Sequence, residues 1–174
     1  MLIAGLAVAG HIDGRGPQAH FVFGVGAGYG VIGTTIPCQT VVLTVDGRLV
    51  ENDCSSGFSG VAFGIGTGIM WGRTHRFGLR LDGAMINTSK GGRGGLADAL
   101  VVYRWHGPVI LEGGLGVGYT VAQNVDGARR GLNGAGHALV GLPLSKHVAA
   151  TLRIAGAVGG MNTFVSGIGL EWSF

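Results

Sequence analysis

Two interleaved faces run through most of this chain, one of large apolar residues and one of glycine, small residues or charge, and that alternation constrains the fold more than any other feature. From Ala19 one face reads Ala19, Phe21, Phe23, Val25, Ala27, Tyr29, Val31 and the other His20, Val22, Gly24, Gly26, Gly28, Gly30. A sustained period of two is that of a strand, because successive side chains point to opposite sides of a sheet. The scheme returns with Val61, Phe63, Ile65, Thr67, Ile69, Trp71 against Gly60, Ala62, Gly64, Gly66, Gly68, Met70. It continues with Phe77, Leu79, Leu81 against Arg76, Gly78, Arg80, Asp82, and with Val101, Tyr103, Trp105 against Asp98, Arg104, His106. Next come Val109, Leu111, Leu115, Val117, Tyr119 against Glu112, Gly114, Gly116, Gly118, Thr120, then Ala138, Val140, Leu142 against His137. The last two are Val148, Ala150, Leu152, Ile154 against Thr151, Arg153, and Phe164, Ile168, Leu170, Trp172, Phe174 against Val165, Gly167, Gly169, Glu171. That makes eight strands between residues 19 and 174, with the charges confined to the second face.

Which face points outward follows from composition. Of 174 residues 37 are glycine, and only 12% are charged, roughly half the share usual in soluble domains. A soluble barrel would bury the bulky face and leave a water-facing wall made mainly of glycine, with few charges to keep it in solution. The reverse arrangement fits better, with bulky residues facing lipid and small or charged residues facing a narrow lumen. Hydrocarbon cannot solvate an open sheet edge, so the sheet must close on itself. Helical spans are excluded, because the longest apolar stretches are about ten glycine-studded residues, short of the ~20 a helix needs. The expected fold is all-β, an eight-stranded antiparallel up-and-down transmembrane barrel.

The connections alternate in length. Gly72 to His75, Gly107-Pro108 and Leu144 to Lys146 are short, whereas Gly33 to Gly57, Asn87 to Gly95 and Gln123 to Gly134 are longer and more polar, and Gly159 to Thr163 is brief. Short turns on one side and longer loops on the other characterise bacterial barrels. Trp71, Trp105 and Trp172 all sit on the outward face beside a short turn or near Phe174, which predicts an aromatic girdle joined by Phe21, Phe77 and Phe174. Tyr29, Tyr119 and Phe164 form the opposite ring; Phe21 to Tyr29 is eight steps, about 3.3 Å each, which at a tilt near 40° spans roughly 20 Å. Tyr and Trp suit such levels because each has an apolar body and a polar tip.

On these residues the chain resembles the small eight-stranded outer-membrane β-barrel superfamily of Gram-negative bacteria, the opacity-type and outer-membrane-protein-A-like barrels. The resemblance covers nearly the whole chain. Its most specific element is Gly167-Ile168-Gly169-Leu170-Glu171-Trp172-Ser173-Phe174, where Ile168, Leu170, Trp172 and Phe174 resemble the signal read by the barrel-assembly machinery. The Gly-rich Phe23 to Gly30 segment is also typical. The resemblance implies a bacterial outer-membrane location with lipid and lipopolysaccharide as surroundings; that superfamily includes adhesins, structural anchors and a few lipid-modifying enzymes, so it says little of activity. Residues 1–9 read as the remnant of a signal peptide, Ala7-Val8-Ala9 before Gly10 having the small-x-small form of a cleavage site, or alternatively as an extra strand. Residues 10–18 then form a periplasmic lead-in to the barrel of 19–174, whose first loop, 34–57, rises outside.

Cys38 and Cys54 both fall in that loop, and an oxidising exterior favours their disulfide. Between them Thr40 to Val45 and Arg48 to Asn52 flank Asp46-Gly47, a strong hairpin signal, so a stapled β-arm is expected. Inside the barrel Arg80, Arg104 and Arg153 face Asp82, Glu112 and Glu171, three positive against three negative. An eight-stranded barrel has little room beyond its side chains, and a balanced ion network would plug it; the glycines leave a narrow pore as the alternative. Catalysis finds no motif: His20, His106 and His137 are scattered, metal-ligand spacing is lacking, and Gly28-Tyr29-Gly30-Val31-Ile32-Gly33 matches a phosphate-binding glycine pattern with no helix after it. A lipid-modifying enzyme would want a His and Ser paired on the lipid-facing wall. The net charge of +3 is slight, so no nucleic acid is expected, while Lys90, Arg93, Arg129 and Arg130 could meet lipopolysaccharide phosphates. The overall reading is a monomeric, non-catalytic outer-membrane barrel without cofactor or metal, whose outer loops meet an extracellular ligand of unknown identity.

Overall fold

A computed structural model of the chain describes residues 18–34, 41–43, 49–51, 57–88, 92–124 and 127–174. Ten strands follow one another there: β1 (Ala19–Thr34), β2 (Val41–Leu43), β3 (Leu49–Glu51), β4 (Phe58–Gly72), β5 (His75–Asn87), β6 (Arg93–His106), β7 (Ile110–Asn124), β8 (Gly127–Pro143), β9 (Val148–Gly159) and β10 (Met161–Ser173). Eight of them close an antiparallel barrel in the order β1-β10-β9-β8-β7-β6-β5-β4, so β1 pairs with both β10 and β4. The remaining two, β2 and β3, pair separately as a small antiparallel ribbon, Val42 opposite Val50. Residues 1–17, Cys38, Cys54, Asp46-Gly47 and Lys90 lie outside the described residues, and with them fall the expected signal remnant and disulfide.

The wall is greasy outside and polar inside. Phe63, Leu115 and Leu170 are 56%, 77% and 40% exposed on the outer face, whereas Arg104 and Glu112 are 0% and 5% exposed within. A core built the soluble way would reverse every one of these values. Hydrocarbon solvates such a wall, and the closed ladder leaves no strand edge unpaired.

Strand lengths depart from the sequence reading at the long-loop end. Gln123 to Gly134 reads as a loop, yet β7 and β8 continue pairing up to Asn124 opposite Gly127, with Val121 opposite Arg130 and Ala122 opposite Arg129. The backbone ladder carries on after the apolar alternation stops, because main-chain hydrogen bonding does not depend on side-chain polarity. Arg129 and Arg130 therefore stand on a strand. The opposite end turns tightly: Gly72, at φ +123°, accepts the left-handed conformation between β4 and β5, and Ser145 Oγ accepts from the Val148 amide at the β8–β9 turn.

One sector of the wall is almost bare. Gly26 and Gly28 of β1 stand opposite Gly169 and Gly167 of β10, and Gly24 and Gly26 opposite Gly66 and Gly64 of β4. A Cβ at Gly28 would fall 1.9 Å from the Ser166 carbonyl oxygen and 2.4 Å from Gly167 Cα, an overlap with backbone that no rotamer relieves. Gly28→Val is expected to lower unfolding stability by about 1–3 kcal/mol through overpacking. Gly33→Ala, with nothing within 4 Å of the added Cβ, should change little, and urea unfolding of the two variants in detergent compares them.

Candidate functional site

The lumen side chains meet because inward positions on six strands converge in the short-turn half of the barrel. Arg80 (β5) donates from Nε to Asp82 Oδ1 at 2.9 Å, and from Nη1 to Glu112 Oε1 (β7) at 3.1 Å and Glu171 Oε2 (β10) at 2.7 Å. Arg104 (β6) donates to Glu112 Oε2, and forks onto Glu171, Nη1 to Oε1 at 2.6 Å and Nη2 to Oε2 at 3.0 Å. The Arg153 guanidinium (β9) reaches Asp82 Oδ2 at 2.6 Å. All six residues named from the sequence thus join one network, which crosses the lumen from β5 and β6 to β10. Each carboxylate is shared between cations, the condition under which buried charge is tolerable.

Glycines make the crossing sterically feasible. A Cβ at Gly66 would lie 1.9 Å from Asp82 Oδ1 and 2.9 Å from Arg80 Nη2, and one at Gly24 3.5 Å from the same Nη2. The bare β4–β1–β10 sector is therefore the surface over which the Arg80–Asp82 pair lies. Beside it runs a cavity of about 70 Å³, lined by Gly26, Gly28, Gly167, Asp98, Arg153 and Thr151 among others.

Two members of the cluster are not assigned to it by the sequence. His137 (β8) is buried with Nε2 2.9 Å from Glu112 Oε1 and Nδ1 3.3 Å from Asp82 Oδ2, both off hydrogen-bond alignment. Asp98 (β6), opposite Asp82 in register, is 6% exposed, and its Oδ1 has no hydrogen-bond partner among the described residues. Their inward parity is readable from the alternation, but their partners come from strand stagger. His137 points into the lumen, so it does not supply the outer-wall histidine that lipid-modifying chemistry would require. Among the described residues no three His, Cys, Asp or Glu are placed to hold a metal.

The lumen is also more apolar than small residues and ions alone. Val22, Met70, Leu96, Leu100 and Val102 pack inside with Ala135 and Ala157. Nearer the long-loop end, Ile32, Ala62, Ile86, Ala122 and Met161 form a second cluster. Thr120, Asn133 and Thr163 are joined there by bonds of 2.9 and 3.1 Å. Water-excluding layers thus flank the charges.

On the outer wall Trp71 and Phe174 are exposed at the short-turn end, and Trp105 and Trp172 half-buried. The Trp105 indole folds over Gly107, and Trp172 stacks obliquely on Phe23 at 6.1 Å. Tyr103, which the sequence reading leaves out of this girdle, belongs with it: its hydroxyl is 2.6 Å from His75 Nδ1, and its ring 5.0 Å from Phe77. At the other end Tyr29 donates to Ser59 Oγ at 2.6 Å, and Tyr119 is exposed. Ile168 and Leu170 face outward on β10.

No protein-family model and no curated protein sequence matches the chain. Solved structures do. Ail, the attachment invasion locus protein of Yersinia pestis, aligns with TM-score 0.58 and 11% identity over 90% of this chain and 99% of its own. The outer membrane protein OprG of Pseudomonas aeruginosa gives 0.56 and 13% over 91% and 97%. Neisserial surface protein A gives 0.52 and 12% over 90% and 99%. At such identities the likeness is one of fold, and the fold is that of the small eight-stranded outer-membrane barrels.

Proposed function

We propose that the chain is an integral protein of the Gram-negative outer membrane, closed by its lumen ion network and acting through the long-loop end rather than by catalysis. The observation that carries this reading is the Arg80–Arg104–Glu112–Glu171 cluster, whose side chains are at most 3% exposed. Solute would have to break several charge-assisted bonds to pass. The apolar layers above it add a second barrier.

What remains to meet a partner is the end bearing the β2–β3 ribbon, together with Arg93, Arg129 and Arg130. A Cys38–Cys54 disulfide would stiffen that ribbon as an adhesive arm, with the arginines on lipopolysaccharide phosphates. Trp71, Trp105, Trp172, Tyr29 and Tyr119 fit the two membrane interfaces, and Ile168, Leu170, Trp172 and Phe174 fit an assembly signal. Residues 10–18 fit a periplasmic lead-in, and the barrel works as a monomer.

The narrow-pore reading is favoured by one observation, the cavity along the glycine sector, and one experiment separates the two. In planar bilayers the refolded protein is expected to pass no steady current, while Arg80→Ala gives brief openings. A stable ohmic conductance in the unaltered protein would replace the closed anchor with the pore.

A further inference from the structure

Below the ion network, at the short-turn mouth of the lumen, lies a second polar cluster that the closed-anchor reading does not use. Arg76 of β5 is 8% exposed, with Nε donating to the Arg73 carbonyl at 2.7 Å and Nη1 buried without a hydrogen-bond partner among the described residues. His20 Nε2 of β1 and His106 Nδ1 of β6 are likewise buried and unpartnered. Register brings them to one mouth: Arg76 stands opposite Arg104 on β6 and Gly72 on β4, His106 is two residues beyond Arg104 on the same face, and His20 pairs with Met70 of β4. Arg76, Arg104 and His20 all lie within Coulombic range of His106. The carboxylate in range there, Glu171, is already committed to Arg80 and Arg104.

A buried guanidinium facing a second guanidinium, with no carboxylate of its own among the described residues, is electrostatically incomplete. Its Nε is held by the Arg73 carbonyl, so the free edge of the fork is preset in direction, and guanidinium geometry matches phosphate oxygens. Imidazoles from two other strands add a ring nitrogen each, His20 also reaching the Gly72 backbone, so that its Nε2 donates to an anion as the doubly protonated ring. The short turns around the mouth supply Arg73, Lys146 and His147, all exposed.

We propose that Arg76, His20 and His106 form a binding site for a phosphate-class oxyanion at the short-turn mouth of the barrel. The anion accepts from Arg76 Nη1 and from the two imidazole nitrogens, and sets a negative charge beside Arg76. It comes either as free inorganic phosphate or as the phosphodiester of a lipid headgroup in the adjoining leaflet. This site is independent of loop adhesion and of whether the lumen conducts.

The test follows ring-labelled histidine resonances of the refolded protein. One arm titrates inorganic phosphate into protein in neutral maltoside detergent; the other raises the phosphatidylglycerol content of phosphatidylcholine nanodiscs. The His20 and His106 signals are expected to move together and saturate in at least one arm, phosphate alone indicating a free anion and the lipid alone a headgroup. Arg76→Gln should raise the half-saturation concentration about tenfold or more, the loss of one charge-assisted contact, while Gln123→Ala, exposed at the opposite end, leaves it unchanged. A drift shared by all the histidines, no saturation in either arm, or a titration indifferent to Arg76→Gln overturns the proposal. Should Arg76→Gln fail to give the folded, heat-shifted gel band, the His20→Asn, His106→Asn double variant replaces it. Phosphorus line broadening by added phosphate, or by the lipid in nanodiscs, that persists undiminished in that variant also overturns the site.

Discussion

Arg104→Met is expected to destabilise the barrel by about 3–5 kcal/mol, the usual cost of removing one member of a buried ion cluster. Arg104 is fully buried and binds Glu112 and both oxygens of Glu171, so its loss strips Glu171 to a single partner, Arg80, and leaves a desolvated carboxylate largely uncompensated. The cost lies in the orphaned acids rather than in the lost arginine. Adding Glu171→Gln to Arg104→Met should therefore recover a large part of the loss, since Arg80 and Arg153 then face Asp82 and Glu112, two charges of each sign. Urea unfolding in lipid vesicles, followed by the heat-shifted gel band, measures both variants. If Arg104→Met alone were within about 0.5 kcal/mol of the parent, the cluster would be a surface-like pairing of the kind whose worth is small.

The second large effect concerns the outer wall. Leu115 stands midway along β7, opposite Val101 of β6 and Gly136 of β8, and is 77% exposed. Leu115→Arg should cost about 2–4 kcal/mol in a bilayer, the range for a cation on the lipid face near the midplane. Were that wall wetted, the same change would fall within about 0.5 kcal/mol, as exposed substitutions do. Comparing Leu115→Arg with Leu144→Arg, in the exposed β8–β9 turn, separates the membrane contribution from any general effect of added charge. The turn variant should be near neutral.

The strands and the direction of each face were legible from the sequence wherever one side of the alternation was glycine or charge, as from Ala19 to Val31. Legibility failed between Ala99 and Val102, where Ala99 and Val101 face out while Leu100 and Val102 pack inside. An apolar residue at every position carries no period, so the lumen's hydrophobic layers left no signal. Arg80, Arg104 and Glu112 were readable as inward charges for the opposite reason. Their partners were a harder matter, because Arg80 meets Asp82 two residues away and Glu171 ninety-one away, and only the stagger between strands decides which inward residues share a level. His137 and Asp98 remained unassigned on that account. Strand ends were obscured as well: Arg129 and Arg130 look like loop residues, yet the β7–β8 ladder extends past the apolar band.

The bare β1–β10 junction bears on how the cylinder assembles. Its two strands are the first and last of the barrel, so their meeting carries the greatest loop-closure entropy of any pair in the sheet, and on the lumen side they meet along glycines, interlocking only on the outer wall, as where Phe23 meets Trp172. An inner face without side chains sets no register of its own there, so the closing offset is fixed by the backbone ladder and by the outer-wall pairs such as Phe23 and Trp172.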